Sequence, residues 1–211
     1  LNVFACVNVY AASAPAGSYI NNVAEVSFSD GVTDFSFSTN PSRVVVAPVR
    51  SISLTSDQNI SRLSGVTVNL PHRLENTGNI TDSYNLLVNN LAGDNYDFSS
   101  STIYIDSNSN GIVDAGETAV SSISALAAGA AIDLVVAAVV PTGLNDGDIG
   151  RLTLTATSAS DGSVSAVNTD TVTIISGLVL DVIKTASPIC SVPVALGGTI
   201  TYDLKLHNIG N

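Results

Sequence analysis

The chain has 211 residues, of which 45% are hydrophobic and 12% are charged, and its 7 Lys and Arg against 18 Asp and Glu give a formal net charge of −11. An apolar share of this size can fill a core, which argues against general disorder. The acidic excess is a poor match for nucleic acid and for anionic lipid, because both are bound through clustered Lys and Arg. The length allows one large or two small domains.

The amino-terminal segment permits two interpretations. The sequence Ala-Ser-Ala at 12–14 is a signal-peptidase pattern, so residues 1–14 fit the end of a signal peptide. Alternatively, apolar and polar residues alternate over 7–11, as they do in a strand. Since the chain starts at Leu1 and contains no Met, we expect a processed product or a fragment.

Neither a membrane span nor a disulfide framework is expected. The longest apolar run, residues 125–140, is interrupted by Asp133 and falls short of the roughly 20 apolar residues that a transmembrane helix needs. The two cysteines, Cys6 and Cys190, stand at opposite ends of the chain, so their spacing does not indicate a bridge. Little Lys and Cys beside much Ser, Thr and Asn is typical of extracellular bacterial repeats, so we expect an extracellular or bacterial cell-surface location.

Short segments of alternating apolar and polar residues recur along the chain and predict an all-β protein. Each is rich in Val, Ile, Leu or Thr and is bounded by Gly, Asn, Asp or Pro, which is the pattern of strands separated by turns. The predicted strands are 51–55, 66–74, 83–88, 102–105, 152–156 and 171–175. Residues 119–131 could compete as a helix, but adjacent serines and Gly129 interrupt that pattern, and a β-rich segment follows at 132–140. We interpret this region as two strands around an Ala-Gly turn.

Sequence similarity within the chain predicts a tandem repeat. The sequence Leu-Glu-Asn-Thr-Gly-Asn at 74–79 reappears as Leu-His-Asn-Ile-Gly-Asn at 206–211, and Pro-Ala-Gly at 15–17 reappears as Pro-Thr-Gly at 141–143. Offsets near 130 residues indicate a repeated unit with small loop insertions.

The chain then divides into three tandem immunoglobulin-like β-sandwich units. Residues 1–48 are the carboxy-terminal part of a preceding β unit, or a signal-peptide remnant plus a short β segment. Residues 49–176 are a complete sandwich of about eight strands, and residues 177–211 begin a further unit.

Several of these motifs resemble one known family. Val-Ile-Lys-Thr-Ala-Ser-Pro at 182–188, Gly-Thr-Ile-Thr-Tyr at 198–202 and Asn-Ile-Gly-Asn at 208–211 resemble the opening of the domain-of-unknown-function 11 surface repeat, also called the conserved repeat domain. Residues 15–24 resemble its closing strands, and residues 71–79 with 141–143 resemble a related unit. The resemblance implies a large secreted or outer-surface bacterial protein built from sandwiches in series, with no chemistry assigned to them.

The sharpest local motif is Asp-Ser-Asn-Ser-Asn-Gly-Ile-Val-Asp-Ala-Gly-Glu at 106–117, which fits the twelve-residue calcium-loop pattern at every restricted position. Ca²⁺ takes six to eight oxygen ligands, and Gly111 permits the sharp turn that the loop needs. The predicted ligands are side-chain oxygens and one main-chain carbonyl: Asp106, Asn108, Asn110, Ile112 (carbonyl), Asp114 and Glu117.

A strand is predicted just before this motif and no helix flanks it, so we expect an isolated loop on a β-scaffold. The alternative is a polar hairpin with a tight turn at Asn110 and Gly111. Two other acidic turns, 94–97 and 145–148, are weaker candidates for an ion, because surface turns commonly use these residues.

Patterns for catalysis are scarce. The two histidines, His72 and His207, fall in different repeats in strand-like segments, and we expect His72 on a sheet surface. There is no nucleophile elbow, phosphate loop, dinucleotide fingerprint or zinc pair. With no Trp and eleven aromatic residues, a sugar-stacking cleft is not expected. A Lys–Asn isopeptide bond is excluded within 49–176, because the lysines are Lys184 and Lys205.

The sequence therefore predicts a non-enzymatic structural repeat, a spacer or stalk segment of a secreted or cell-surface bacterial protein, stabilised by Ca²⁺. Two alternatives remain: an adhesin-type binding module, and an accessory domain of a larger secreted enzyme. The expected partners are neighbouring repeats of the same chain, with cell-surface or matrix components for the adhesin. Neither nucleic acid nor a membrane span is expected.

Overall fold

The computed structural model describes residues 14–29, 31–175, 180–187 and 194–208. Every regular secondary-structure element within these ranges is a β-strand, which confirms the predicted all-β class. No helix of the described residues is long and apolar enough to span a membrane. Cys6, Cys190 and the two interpretations of residues 1–13 lie outside the described residues.

The strands are β1 (Tyr19–Asn22), β2 (Glu25–Ser29), β3 (Asp34–Ser38), β4 (Ser42–Val45), β5 (Ile52–Thr55), β6 (Asn59–Arg62), β7 (Thr67–Asn76), β8 (Asp82–Asn90), β9 (Ser100–Ile105), β10 (Ser122–Leu126), β11 (Ala131–Val139), β12 (Ile149–Ser158), β13 (Ser165–Ile174), β14 (Leu180–Ser187) and β15 (Thr201–Asn208).

Two sheets form a β-sandwich inside the predicted central unit. The four-stranded sheet has the order β5-β7-β11-β9, and the five-stranded sheet has the order β10-β8-β12-β13-β6. Neighbouring strands are antiparallel except β6 and β13, which are parallel. Outside the sandwich, β1 pairs with β4, β2 with β3 and β14 with β15.

Strict alternation of side chains creates the core between the sheets. Along β12 every second residue is buried, from Gly150 to Ser158, while the residues between them are partly exposed. Because successive side chains of a strand point to opposite faces, the apolar set of each strand meets the opposite sheet. Burying each large aliphatic side chain contributes about 1.5–3 kcal/mol. The fully buried side chains of the core include Leu70, Leu74, Leu134, Leu152, Leu154 and Val172.

Residues 119–140 contain two strands, β10 and β11, as predicted. Between them Ala130 N donates to Ala127 O (3.0 Å), and Gly129 has a φ of 72°, which its lack of a side chain permits. The two strands belong to different sheets, so this turn carries the chain across the core and does not close a hairpin.

Candidate calcium loop and its surroundings

Antiparallel pairing closes the predicted calcium loop at its two ends. Ile105 N donates to Thr118 O (3.0 Å), Val120 N donates to Ile103 O (2.9 Å), and Tyr104 forms a bridge with Ala119. The residues between these pairs are the twelve of the motif. The alternative of a tight Asn-Gly hairpin is wrong, because the pairing closes at Ile105 and Thr118 and not around residues 110–111.

Asp106, the first predicted ligand, organises the turn. Its buried carboxylate accepts hydrogen bonds from Asn110 N (3.1 Å) and Gly111 N (2.7 Å). Gly111 has a φ of 77° and Ser109 a φ of 55°, so the chain turns through the left-handed region twice. The sequence folds this way because a short Asp side chain can satisfy successive backbone amides and Gly carries no Cβ penalty.

Asn108, Asn110 and Asp114 converge on one point. Both amides donate to Oδ2 of Asp114, from Nδ2 of Asn108 (2.8 Å) and from Nδ2 of Asn110 (2.6 Å). These hydrogen bonds, together with the charge of Lys205, lower the pKa of Asp114 below its ordinary value. Three of the predicted ligands are therefore in contact through their side chains.

Glu117 ties the end of the loop to its beginning. Its Oε1 accepts from Ser107 N (3.0 Å) and its Oε2 from Asp114 N (3.1 Å). Ile112, whose carbonyl is the remaining predicted ligand, donates its N–H to Oδ1 of Asn110 (2.9 Å).

The carboxylates of Asp106, Asp114 and Glu117 do not converge. In the described part of the chain, no group of three or more His, Cys, Asp and Glu side chains is placed to hold a metal ion. Asp106 and Glu117 bind backbone amides at the two ends of the loop, while Asp114 binds the two asparagines. The loop thus gathers the predicted ligands into one turn without bringing their charges together.

A residue outside the motif anchors the loop to the sheet. Asp133 on β11 accepts from Ser109 Oγ at its Oδ2 (2.7 Å) and from Arg73 Nη1 at its Oδ1 (2.9 Å), and its carbonyl accepts from Asp106 N (3.0 Å). In the sequence, Asp133 stands out only as an interruption of an apolar run. A lone carboxylate in such a run was the signal that it has a specific partner.

His72 does not lie on a sheet surface, and that prediction is wrong. Its Nε2 lies 3.0 Å from Oδ2 of Asp170, and both side chains are fully buried between the sheets. Oδ1 of Asp170 accepts from Gln58 N (2.9 Å). His72 shares the inward face of β7 with Leu70 and Leu74, because the side-chain period of a strand is two. The even spacing of these three residues along the strand can be read from the sequence.

A cavity of about 400 Å³ separates the loop from the segment between β5 and β6. Nδ1 of His72 is buried and has no hydrogen-bond partner among the described residues. The residues lining the cavity include Ser56, His72, Asp106, Asn110 and Asp133.

The two weaker acidic turns, 94–97 and 145–148, lie side by side and use their polar groups on backbone amides. Oδ1 of Asn95 accepts from Ile149 N (2.9 Å), and Oδ2 of Asp148 accepts from Asn145 N (2.7 Å). The first contact joins the two turns and the second lies within one turn, so both oxygens serve the backbone of these loops.

Three solved structures are similar to part of the chain. The secreted serine protease VesC from Vibrio cholerae matches over 60% of this chain and 24% of its own, with 12% identity and a TM-score of 0.39. A family 123 glycoside hydrolase from Clostridium perfringens matches over 60% and 27%, with 9% identity and a TM-score of 0.41. The major pilin subunit BcpA of Bacillus cereus matches over 87% and 60%, with 11% identity and a TM-score of 0.31.

The chain therefore spans about a quarter of the length of the first two structures. No family model and no curated protein matches the chain.

Proposed function

We propose that the central sandwich is a non-enzymatic structural unit, a spacer or stalk segment of a secreted or cell-surface bacterial protein of the conserved-repeat type. The observation that carries this proposal is the joint at Asn79. This side chain is almost wholly buried, and it holds the sandwich to the chain that precedes it. A unit whose polar groups fix its connection to a neighbouring segment is suited to holding the parts it connects at a set distance and in a set direction.

The joint consists of hydrogen bonds to residues 14–16 and 47–49, which lie before β5. Nδ2 of Asn79 donates to Ala14 O (3.2 Å) and Ala47 O (3.0 Å), and its Oδ1 accepts from Val49 N (2.7 Å). Its backbone carbonyl accepts from Ala16 N (3.0 Å). Since Asn79 closes the repeated Asn-x-Gly-Asn motif, this role gives a physical reason for the repetition of that motif.

Calcium is the second part of the proposal, with Asp106, Asn108, Asn110, Asp114 and Glu117 and the carbonyl of Ile112 as its ligands. The amide N–H groups of Asn108 and Asn110 donate to the carboxylate of Asp114 at the oxygen that a cation would bind. Turning either carboxamide about its terminal bond presents Oδ1 in place of Nδ2 and breaks the hydrogen bond that this oxygen accepts from Asn110 N or Ile112 N, so ion binding includes a local rearrangement of the loop. Extracellular loops of this kind bind Ca²⁺ at about 0.1–1 mM. At about 1 mM Ca²⁺ the ion would add about 0.4–1.4 kcal/mol to stability.

A distance measurement tests the spacer. Spin labels are placed on Ser38 of β3 and Ser165 of β13, both exposed, in a chain whose Cys6 and Cys190 are replaced by Ser. A spacer predicts one narrow distance distribution by pulsed electron paramagnetic resonance. A broad distribution in this parent chain would contradict the proposal.

The variant series uses Asn79. Asn79→Ala removes the three side-chain hydrogen bonds, and Asn79→Asp turns a donor into an acceptor that faces two carbonyl groups. Both should at least double the width of the distribution. Asn85→Ala, which removes an exposed amide of β8, is the matched control and should leave the width unchanged.

A second candidate, an adhesin-type binding module, is favoured by the hairpin of β2 and β3. Phe28 stacks on Phe35 (5.1 Å between ring centroids) and on Phe37 (5.8 Å), and the three rings are 36–59% exposed. Exposed aromatic residues are common at binding surfaces. Saturable binding of the chain to intact cells that is lost in Phe28→Ser/Phe37→Ser would favour this candidate over the spacer.

A further inference from the structure

The parallel pair of strands, β6 and β13, contains the first and the last strand of the five-stranded sheet in chain order, after β5 has joined β7 in the other sheet. The register runs from Thr171 opposite Asn59 to Ile174 opposite Arg62. The chain enters the five-stranded sheet at the beginning of β6 and leaves it at the end of β13. Because the strands are parallel, those two points lie at opposite ends of the pair.

This topology determines how the pair responds to tension along the chain. Pulling β6 backwards from its beginning and β13 forwards from its end slides one strand along the other. All the hydrogen bonds between them are then loaded at once. In an antiparallel hairpin pulled at its open end, the bonds break one after another. Simultaneous loading therefore requires a larger force for the same number of bonds.

Hydrogen bonds beyond the register extend the pair in both directions. Thr171 N donates to Gln58 O (2.8 Å) before β6 begins, and Ile175 N donates to Arg62 O (3.0 Å) after β13 ends. At the first end Oδ1 of Asp57 accepts from Asn168 Nδ2 (3.0 Å) and from Thr169 N (3.0 Å). The segment leading into β6 is thus fastened to β13 by side chains as well as by the ladder.

Asp170 on β13 links the segment before β6 to the four-stranded sheet as well. Its Oδ1 accepts from Gln58 N (2.9 Å), and its Oδ2 lies 3.0 Å from Nε2 of His72 on β7. Both partners of that buried pair are inaccessible to water, so water does not compete for the interaction. Force that enters at Gln58 is therefore shared between the two sheets.

We propose that the β6–β13 pair, with Asp57, Asp170 and His72, is a mechanical clamp that bears tension applied along the chain. The proposal rests on the spacer function and adds load bearing to it. A spacer of a surface protein is pulled from both of its ends, and the clamp is the contact that such a pull loads in shear.

Single-molecule force spectroscopy on the 211-residue chain, held between handle domains of known strength, tests the clamp. Asp57→Ala should accelerate unfolding at constant force by about tenfold, because it removes two hydrogen bonds from the loaded contact. Asp161→Ala is the matched control. Asp161 is also an exposed carboxylate that accepts from a backbone N–H and a side chain, at Ser163 N (3.0 Å) and Ser163 Oγ (2.6 Å), but it lies in the turn between β12 and β13. Its loss should change the rate under force less than twofold.

A change of pulling direction tests the clamp without altering it. In a chain with Cys6 and Cys190 replaced by Ser, a handle is attached at Ser163→Cys in place of the carboxy terminus. Force then enters β6 and β13 at the same end, and their bonds break in succession. The unfolding force should fall to less than half of the end-to-end value.

Two results would overturn the clamp: equal acceleration by Asp57→Ala and Asp161→Ala, or equal unfolding forces in the two pulling directions. Chemical unfolding of both variants without force gives the reference for the comparison. A narrow distance distribution combined with either result would reject the clamp alone, whereas a broad distribution in the parent chain would reject the spacer.

Discussion

His72 and Asp170 join the two sheets of the sandwich through a 3.0 Å contact between Nε2 and Oδ2 in the middle of the core. The two residues are 98 positions apart in the chain. Removing one member of a buried pair leaves the other without compensation, which costs about 3–5 kcal/mol. We expect Asp170→Ala to lower the free energy of unfolding by this amount in urea denaturation.

The double variant His72→Leu/Asp170→Leu completes the test of this pair. With both polar groups removed, the loss should be smaller than for Asp170→Ala, because the imidazole of His72 is no longer left without its partner, while Gln58 N loses its acceptor in both proteins. Equal losses of unfolding free energy in the two proteins would show that the packing of the replaced side chains, and not the pairing of His72 with Asp170, governs stability here.

Gly150 on β12 should not tolerate a methyl group. A Cβ at this position would overlap the ring of Tyr96, whose hydroxyl donates to Val172 O (3.0 Å). Overpacking of this kind costs about 1–3 kcal/mol, so Gly150→Ala should lower the melting temperature by several degrees. Gly162→Ala is the control, because nothing lies within 4 Å of its Cβ position. Equal melting temperatures for the two variants would contradict the packing of Tyr96.

Tyr84 and Tyr96 should lose their phenolic protons at a higher pH than an exposed tyrosine does. Burial, followed by the charge of Asp82, raises the pKa of Tyr84 to about 12. Burial, followed by the charges of Asp94 and Asp148, raises the pKa of Tyr96 to about 12. A raised pKa in the folded state gives stability that is present below about pH 10 and is lost as the pH rises towards 12.

Absorbance of the phenolate measures this titration. The folded chain should show a late phase that Tyr84→Phe and Tyr96→Phe each diminish, whereas the chain unfolded in guanidinium should titrate in one phase near pH 10. Identical titration curves for the folded and unfolded chains would contradict the burial of both rings.

Asp82 should protect the fold against acid. Burial alone would raise the pKa of its carboxyl, but hydrogen bonds from Ser158, Ser160 and the Ser83 amide and the charge of Arg50 lower it below 3.8. A lowered pKa gives stability that is present above the unfolded value and is lost as the pH falls through the folded value.

Ser158→Ala removes one of these hydrogen bonds, together with the acceptor of Ser160 N and Asp161 N. Ser158 Oγ donates to Oδ2 of Asp82 (2.6 Å) in the core, and a hydrogen bond to a charged group is worth about 1.5–3 kcal/mol. The variant should raise the pKa of Asp82 and move acid unfolding to higher pH. Ser163→Ala, which removes a 2.6 Å hydrogen bond to the exposed Asp161, should move it less. Acid unfolding followed by circular dichroism distinguishes the two, and equal shifts would contradict a special role for Asp82.

Local patterns predicted most of the strands of the sandwich and the limits of the calcium-type loop, because alternation and turn residues act over a few neighbours. The parallel strand β6 was missed, since its four residues carry no alternation of note and its partner on β13 is 112 residues away. Long-range polar contacts were missed for the same reason. Asp57 meets Asn168 through the pairing of β6 with β13, and His72 meets Asp170 through the packing of one sheet on the other.

The alternation of inward and outward positions along the strands indicates some of these long-range polar contacts. Asn168 and Asp170 share the inward face of β13 with Val172 and Ile174, so two polar residues were already assigned to the core by their positions. Buried polar groups require hydrogen-bond partners, and the only inward imidazole of the predicted unit belongs to His72. The identity of the partner still depended on the packing of one sheet on the other.

Calorimetric titration with Ca²⁺, combined with melting curves, tests most directly whether the loop at 106–117 is a calcium site that stabilises the unit. We predict binding at about 0.1–1 mM, a rise of a few degrees in melting temperature, and a much weaker response to Mg²⁺, which demands octahedral geometry and holds its water. Glu117→Gln should remove most of the response, whereas Glu75→Gln, the same change on β7, should retain it. Neither heat nor a melting shift at about 5 mM Ca²⁺, well above the expected dissociation constant, would contradict the account.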